Sequence, residues 1–130
     1  MAKQVLNKCR SQKAIDDFYV FMNQFEDSRL ISGVYYPSKV DEQEEETNKN
    51  RIVLCVISGN NRIEMRFNGV SRCSIIPFNG SLYGSCINFY KDGVVFYGNE
   101  EMPTSIVDDF DAQFTYTSMI VSKEFSWKIL

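Results

Sequence analysis

The chain has 130 residues, 44% of them hydrophobic, 14% aromatic and 24% charged, which predicts one soluble globular domain over residues 1–130. Seventeen acidic against fourteen basic residues give a formal charge of -3; without a basic excess the chain is expected to engage neither nucleic acid nor an anionic membrane. It has no histidine at all, which removes the usual general base near neutral pH, the commonest metal ligand and every Ser-His or Cys-His nucleophile pair, so a non-enzymatic role is favoured.

Residues 1–13 carry Lys3, Lys8, Arg10 and Lys13 and no acid; residues 1–10 read as a solvated, partly frayed lead into a helix. Over residues 11–25, Ile15, Phe18, Met22 and Phe25 fall at steps of three, four and three, which stacks them on one helical face that Tyr19 and Phe21 widen. Ser11 is the expected N-cap, and Asp16 and Asp17 are expected near the positive end of the helix dipole.

Beyond residue 25 the pattern changes to short runs of Val, Ile, Phe and Tyr separated by Gly, Asn and Asp, the punctuation of antiparallel strands. Residues 30–40 read as a first strand. It is stopped by residues 41–50, a flexible acidic loop with Asp41, Glu42, Glu44, Glu45 and Glu46, whose like charges repel and favour solvent. Residues 51–58 are apolar almost throughout, as expected of a strand buried on both faces, with Cys55 inside it as a small core hydrophobe. Residues 62–67 alternate cleanly, with Ile63, Met65 and Phe67 on one side and Arg62, Glu64 and Arg66 on the other.

Asn68-Gly69, Asn79-Gly80 and Asp92-Gly93 are turn signals that divide residues 62–98 into hairpins. A two-residue Asp92-Gly93 turn would set Lys91 opposite Val94, Tyr90 opposite Val95 and Phe89 opposite Phe96. Residues 99–112 read as a connection containing Pro103. Two alternating apolar runs close the chain, Phe114 to Val121 and then Phe125, Trp127 and Ile129; one bent strand or a last hairpin would fit them. The predicted fold class is α+β, an N-terminal helix packed on a curved, mainly antiparallel β-meander of six to seven strands.

Cys9, Cys55, Cys73 and Cys86 occur singly, and no Cys-x-x-Cys, Gly-x-Gly-x-x-Gly, Walker or Gly-x-Ser-x-Gly motif is present, so no metal or cofactor is expected. Asp108, Asp109 and Asp111 lack the spacing of a calcium loop and suit solvation or capping near Ser105. Arg51, Arg62, Arg66 and Arg72 with Tyr83 or Tyr90 could form a basic aromatic face, but Glu64 interrupts it and an arginine ladder paired with carboxylates is the expected use. Residues 1–13 lack the apolar run of a secretory signal, and no stretch approaches the ~18 apolar residues of a membrane-spanning helix, which places the chain in the cytoplasm.

Phe25-Glu26-Asp27-Ser28-Arg29, then Ile63-Glu64-Met65-Arg66-Phe67-Asn68-Gly69-Val70, and finally Trp127 resemble a group of small bacterial proteins of unknown function. The resemblance spans about residues 25–130; its motifs are structural and imply a shared fold, with no active site to carry over. In size, acidity and layout the chain is also similar to immunity proteins that block bacterial toxins. The leading expectation is therefore a protein-binding module with a basic protein partner. The acidic residues Asp41, Glu42, Glu44, Glu45 and Glu46 would steer it, and Tyr35, Tyr36, Tyr90 and Tyr97 would anchor it. The competing expectation is a small-ligand-binding or carboxylate-dependent enzymatic domain with a pocket between helix and sheet.

Overall fold

In a computed structural model, which describes residues 6–37, 39–40, 46–48, 50–74, 82, 85–90, 93–97 and 119–130, the Ser11 hydroxyl accepts a hydrogen bond from the Ala14 N–H at 3.1 Å and opens helix α1, Gln12–Phe21. The side chain satisfies one of the amide donors that a helix start leaves unpaired. Asp16 and Asp17 fall in the second turn instead of the first, which holds no acid. They work locally: Gln12 Nε2 donates to Asp16 Oδ1 and Lys13 Nζ to Asp17 Oδ2, each at 2.8 Å.

The helix stops four residues earlier than its apolar spacing suggests. After Met22, whose N–H donates to the Phe18 carbonyl, Asn23, Gln24 and Phe25 all adopt left-handed backbone (φ 51°, 56° and 59°) in a short 3₁₀ turn, Asn23–Phe25. Asn tolerates this region better than most residues and commonly ends helices in it. The turn swings Phe25 back under α1, so Ile15, Phe18, Met22 and Phe25 are all buried. The three-four-three spacing thus records which side chains enter the core, while the backbone that brings in the last one is no longer helical.

The strands are β1 (Asn7–Cys9), β2 (Ser28–Tyr36), β3 (Lys39–Val40), β4 (Glu46–Asn48), β5 (Arg51–Ser58), β6 (Asn61–Ser74), β7 (Cys86–Tyr90), β8 (Gly93–Tyr97) and β9 (Met119–Ile129). Seven of them form one antiparallel sheet in the order β2-β5-β6-β9-β8-β7, with β1 also paired to β9; β3 and β4 form a separate two-stranded ribbon. The fold class is α+β with a mostly antiparallel sheet, but the strand order is not a simple meander: the last strand is inserted between β6 and β8. The N-terminus is not frayed over residues 7–9, because Asn7 stands opposite Trp127 and Cys9 opposite Phe125. Residues 1–5 lie outside the described residues.

β5 corrects the expectation of a strand covered on both faces. Ile52, Leu54 and Val56 are buried, whereas Val53, Cys55 and Ile57 are half-buried on the other face, so Cys55 stands beside Glu64 and Ser32 and not in the core. On β6, Ile63, Met65 and Phe67 are fully buried and Arg62, Glu64 and Arg66 face away, as the alternation predicts. Asn68-Gly69 is not a turn. It lies inside one fourteen-residue strand, where Gly69 takes φ 68° and donates its N–H to the Asn50 carbonyl at 2.8 Å, while Asn50 Nδ2 donates to the Val70 carbonyl at 2.9 Å. Glycine supplies the left-handed residue for a kink within a strand.

Opposite this kink the two C-terminal apolar runs merge into the single strand β9. Ile120 and Phe125 belong to the same core although they are an odd number of positions, five, apart, so the two-residue alternation slips once between them. Ser122 Oγ donates to the Glu124 carbonyl at 3.0 Å within the slip. The sequence shows this as two runs out of phase. Asn79-Gly80, the connection over residues 99–112 and residues 114–118 lie outside the described residues.

The β7–β8 register also differs from expectation. Tyr90 stands opposite Gly93, Phe89 opposite Val94 and Ile87 opposite Phe96, so Gly93 is the first residue of β8 and not part of the turn. Its glycine character answers to packing: a Cβ there would lie 2.5 Å from the Ser122 carbonyl oxygen of β9.

One aromatic chain joins the helix to the sheet. The Phe18 ring centroid lies 5.1 Å from both Phe125 and Trp127 and 6.1 Å from Phe25. Phe67 bridges Phe125 at 5.0 Å and Phe96 at 6.0 Å. Aromatic pairs of this kind add about 0.5–1.5 kcal/mol each beyond the area they bury. A second, smaller cluster of Cys86, Val95, Tyr97 and Met119 uses the residues of β7–β9 that alternate with the main core. Gly93→Ala should force β8 off β9 and cost about 1–3 kcal/mol, the usual penalty for overpacking, read as a lower urea midpoint at unchanged slope; a midpoint equal to wild type would remove the close approach as the reason for glycine.

Candidate functional site

The longest uncovered stretch of backbone among the described residues belongs to β2. It pairs with β5 on one side only, and from Ile31 to Tyr36 every residue is exposed. Leu30-Ile31-Ser32-Gly33-Val34-Tyr35-Tyr36 contains no charge, and Ile31 (50%), Val34 (45%), Tyr35 (56%) and Tyr36 (41%) are large apolar or aromatic residues left open to solvent. Natural edge strands usually carry a charge or proline that prevents further pairing. Here the exposed Arg29 and Pro37 guard only the two ends of the strand, and between them the protection is a register shift between Leu30 and Ser32.

Tyr35 stands opposite Ile52, on the core side of the sheet, and Tyr36 opposite Arg51 on the other side. The Arg51 guanidinium lies 4.6 Å from the Tyr36 ring centroid, a cation–π contact that holds the ring down on β5. The β3–β4 ribbon follows β2 in the chain, with Val40 opposite Glu46 and Lys39 opposite Asn48. The expected acidic loop of residues 41–50 is therefore in part a strand: Glu46 opens β4, and Asn50 is held by the Gly69 and Val70 hydrogen bonds. Asp41, Glu42, Glu44 and Glu45 lie outside the described residues.

The other expected site residues separate. Tyr35 and Tyr36 are exposed, as anchors must be; Tyr97 is buried to 2% in the second cluster opposite Met119 and cannot anchor a partner from there. Tyr97 shares with Val95 the face of β8 opposite Val94 and Phe96, and the strand's own sequence does not show that a second small core covers that face. Tyr90 ends β7 opposite Gly93. Tyr83, Ser105, Asp108, Asp109 and Asp111 lie outside the described residues.

The sheet face opposite the helix carries the mixed charges that alternation predicts. Arg66 Nε lies 2.6 Å from Glu64 Oε2, and Lys128 Nζ lies 3.7 Å from the same oxygen, which matches the ladder reading for this arginine. The face is a set of half-buried ion pairs and small apolar residues, without a concentrated charge of one sign. Cys9, Cys55, Cys73 and Cys86 form no disulfide. Burial pushes the Cys9 thiol up, and partial burial of its sulfur raises that of Cys73 although the residue as a whole is exposed.

Beneath α1 there is no open chamber among the described residues, because Ile15, Phe18, Met22 and Phe25 fill the interface with the sheet. Two clefts lie at its margin. A shallow one of about 440 Å³ runs beside α1 past Phe21 and Trp127, whose rings stack at 4.8 Å. Another, of about 530 Å³, opens where β1 and β8 part along β9. The sequence holds no local signal for this second cleft, since Lys8 and Ser126, which both line it, lie at opposite ends of the chain and meet only through β1–β9 pairing. No helix among the described residues is long and apolar enough to cross a membrane. No family model, curated protein or solved structure matches the chain.

Two measurements check these placements. Tyr97→Ala should cost roughly 3 kcal/mol or more, as truncating a buried aromatic does, whereas Tyr35→Ala should stay within about 0.5 kcal/mol, the usual effect at a surface position; equal effects in chemical denaturation would contradict the burial difference. In the native protein Cys73 should react with a thiol reagent and Cys9 and Cys86 should not. Because the thiolate is the nucleophile and the Cys73 thiol is raised, its labelling should keep accelerating above pH 9; a rate that levels off near pH 8 would oppose that direction.

Proposed function

We propose that the chain is a non-enzymatic protein-binding module that takes an extended segment of a basic partner protein onto the open edge of β2, the role of a toxin-neutralising immunity protein. The observation that supports it is β2 itself: over Leu30–Tyr36 it is an uncharged stretch with one side unpaired among the described residues, carrying Ile31, Val34, Tyr35 and Tyr36 in the open. An unpaired strand edge offers main-chain donors and acceptors at every second residue, and an incoming strand satisfies them while its side chains meet the exposed rings. Tyrosines contribute large contact area at low conformational cost, which is why they anchor interfaces.

Charge supports the basic character of the partner. Four residues separate β2 from the run Asp41, Glu42, Glu44, Glu45 and Glu46, so the approach to the strand is steered by negative charge. Such steering acts over about a Debye length, roughly 8 Å at physiological ionic strength, and so acts mainly on the rate of encounter.

The test is capture from native lysate at low and high salt with two baits, the wild-type chain and Val34→Lys. A lysine at an exposed edge position opposes strand addition while leaving the fold intact. A stoichiometric basic partner, weaker at high salt and lost by Val34→Lys, is expected. A partner that binds Val34→Lys equally well would move the interface away from β2, and no partner at either salt would end the protein-binding reading. With the partner in hand, neutralising Asp41, Glu42, Glu44, Glu45 and Glu46 should slow association severalfold at low salt and flatten its salt dependence.

A further inference from the structure

The other side of the sheet carries an independent feature. β9 is covered along one side by two strands in succession: β8 pairs with residues 119–122, from Tyr97 opposite Met119 to Val94 opposite Ser122, and β1 pairs with residues 125–127, from Cys9 opposite Phe125 to Asn7 opposite Trp127. Between them Lys123 and Glu124 have no strand on that side among the described residues, and the gap opens into the cleft of about 530 Å³.

Three kinds of group meet there. Lys8, Arg10 and Lys123 line it, and none of them forms an ion pair with a described residue. Phe89 and Phe125 supply apolar wall. Ser126 also lines it and is 3% exposed, yet its Oγ has no hydrogen-bond partner. The contrast with Ser122 on the same strand is informative, since that buried hydroxyl donates to the Glu124 carbonyl at 3.0 Å. A buried hydroxyl left unpaired is costly, and such groups are normally satisfied by protein, water or ligand.

The cross-strand neighbours of Ser126 are Lys8 on β1 and Arg66 on β6. Arg66 is already engaged with Glu64, which leaves Lys8 as the neighbouring charge directed at an incoming group. Glu124 is the acidic residue among the described lining residues, so among these three cations face one carboxylate. On a chain of net charge -3 this is a local inversion of sign, and it selects anions.

We propose that this fork between β1 and β8 binds a small amphipathic oxyanion, a carboxylate or phosphate head on an apolar body. Lys8, Arg10 and Lys123 neutralise the head, the Ser126 hydroxyl donates to it, and the body lies against Phe89 and Phe125. The site is separate from β2, so it stands whether or not β2 docks a partner.

Isothermal titration of the full chain tests it with octyl phosphate, octanoate, inorganic phosphate and octan-1-ol, each below its micellar concentration. Saturable one-to-one binding of octyl phosphate or octanoate is expected, with inorganic phosphate and octan-1-ol at least tenfold weaker; the stronger of the first two identifies the head group. Lys8→Gln with Lys123→Gln should weaken binding at least tenfold, and because both residues are exposed the fold should survive. Ser126→Ala should weaken it severalfold while leaving thermal stability equal or higher, since it removes an orphaned polar atom. Absence of saturable binding, equal affinity for octan-1-ol, or affinity unchanged in the double lysine variant would overturn the proposal.

Discussion

Pairing along β9 is the constraint on which the rest of the molecule depends. The strand binds β6 along its whole length on one side and holds β8 and then β1 on the other, so both parts of the sheet and the lead into the helix are fixed to one eleven-residue segment. The aromatic contacts follow from that arrangement. Phe125 and Trp127 present their rings to Phe18, Phe67 stacks behind Phe125, and Phe25 reaches Phe96 at 5.7 Å. Without β9 the helix would have no aromatic floor, and its own apolar face could not remain buried.

Alternation and spacing made the local elements legible, and the reason is that burial is a local demand on side-chain direction. Ile63, Met65 and Phe67 declare a half-covered strand, and Ile15, Phe18, Met22 and Phe25 declare which side chains enter the core under the helix, because their partners need only be apolar. Chain reversals were less legible. Asn68-Gly69 carries the residue pair of a turn, yet the left-handed glycine is used to kink a continuous strand, and only the distant Asn50, bonded to Gly69 and Val70, decides between the two. Gly93 reads as a turn residue for the same reason, although its lack of a side chain is set by the Ser122 carbonyl on a strand nearly thirty residues away.

The candidate sites show the same division. Tyr35 and Tyr97 are indistinguishable as residue types in apolar strands; one is exposed on a strand with a single neighbour among the described residues, the other buried because β9 lies beside it. Exposure of a strand is a property of sheet order, and sheet order is not written in the strand itself. The fork that gathers Lys8, Lys123 and Ser126 is further removed still, since it exists only where two strands share one side of a third. The acidic run was legible at once, because like charges in sequence stay close in space whatever the fold.

The position of β9 also bears on how the fold is reached during synthesis. Each strand that flanks it is made earlier, and β1 must wait through more than a hundred residues before its partner exists. Until residues 119–129 emerge, β6 and the β7–β8 hairpin each present an unpaired side, and the helix can only hover over an incomplete floor. Contacts so distant in sequence close slowly because the loop entropy must be met before they form. The nascent chain is therefore expected to stay open until late, gaining its cooperative core in one step when the final strand slots into the gap left for it.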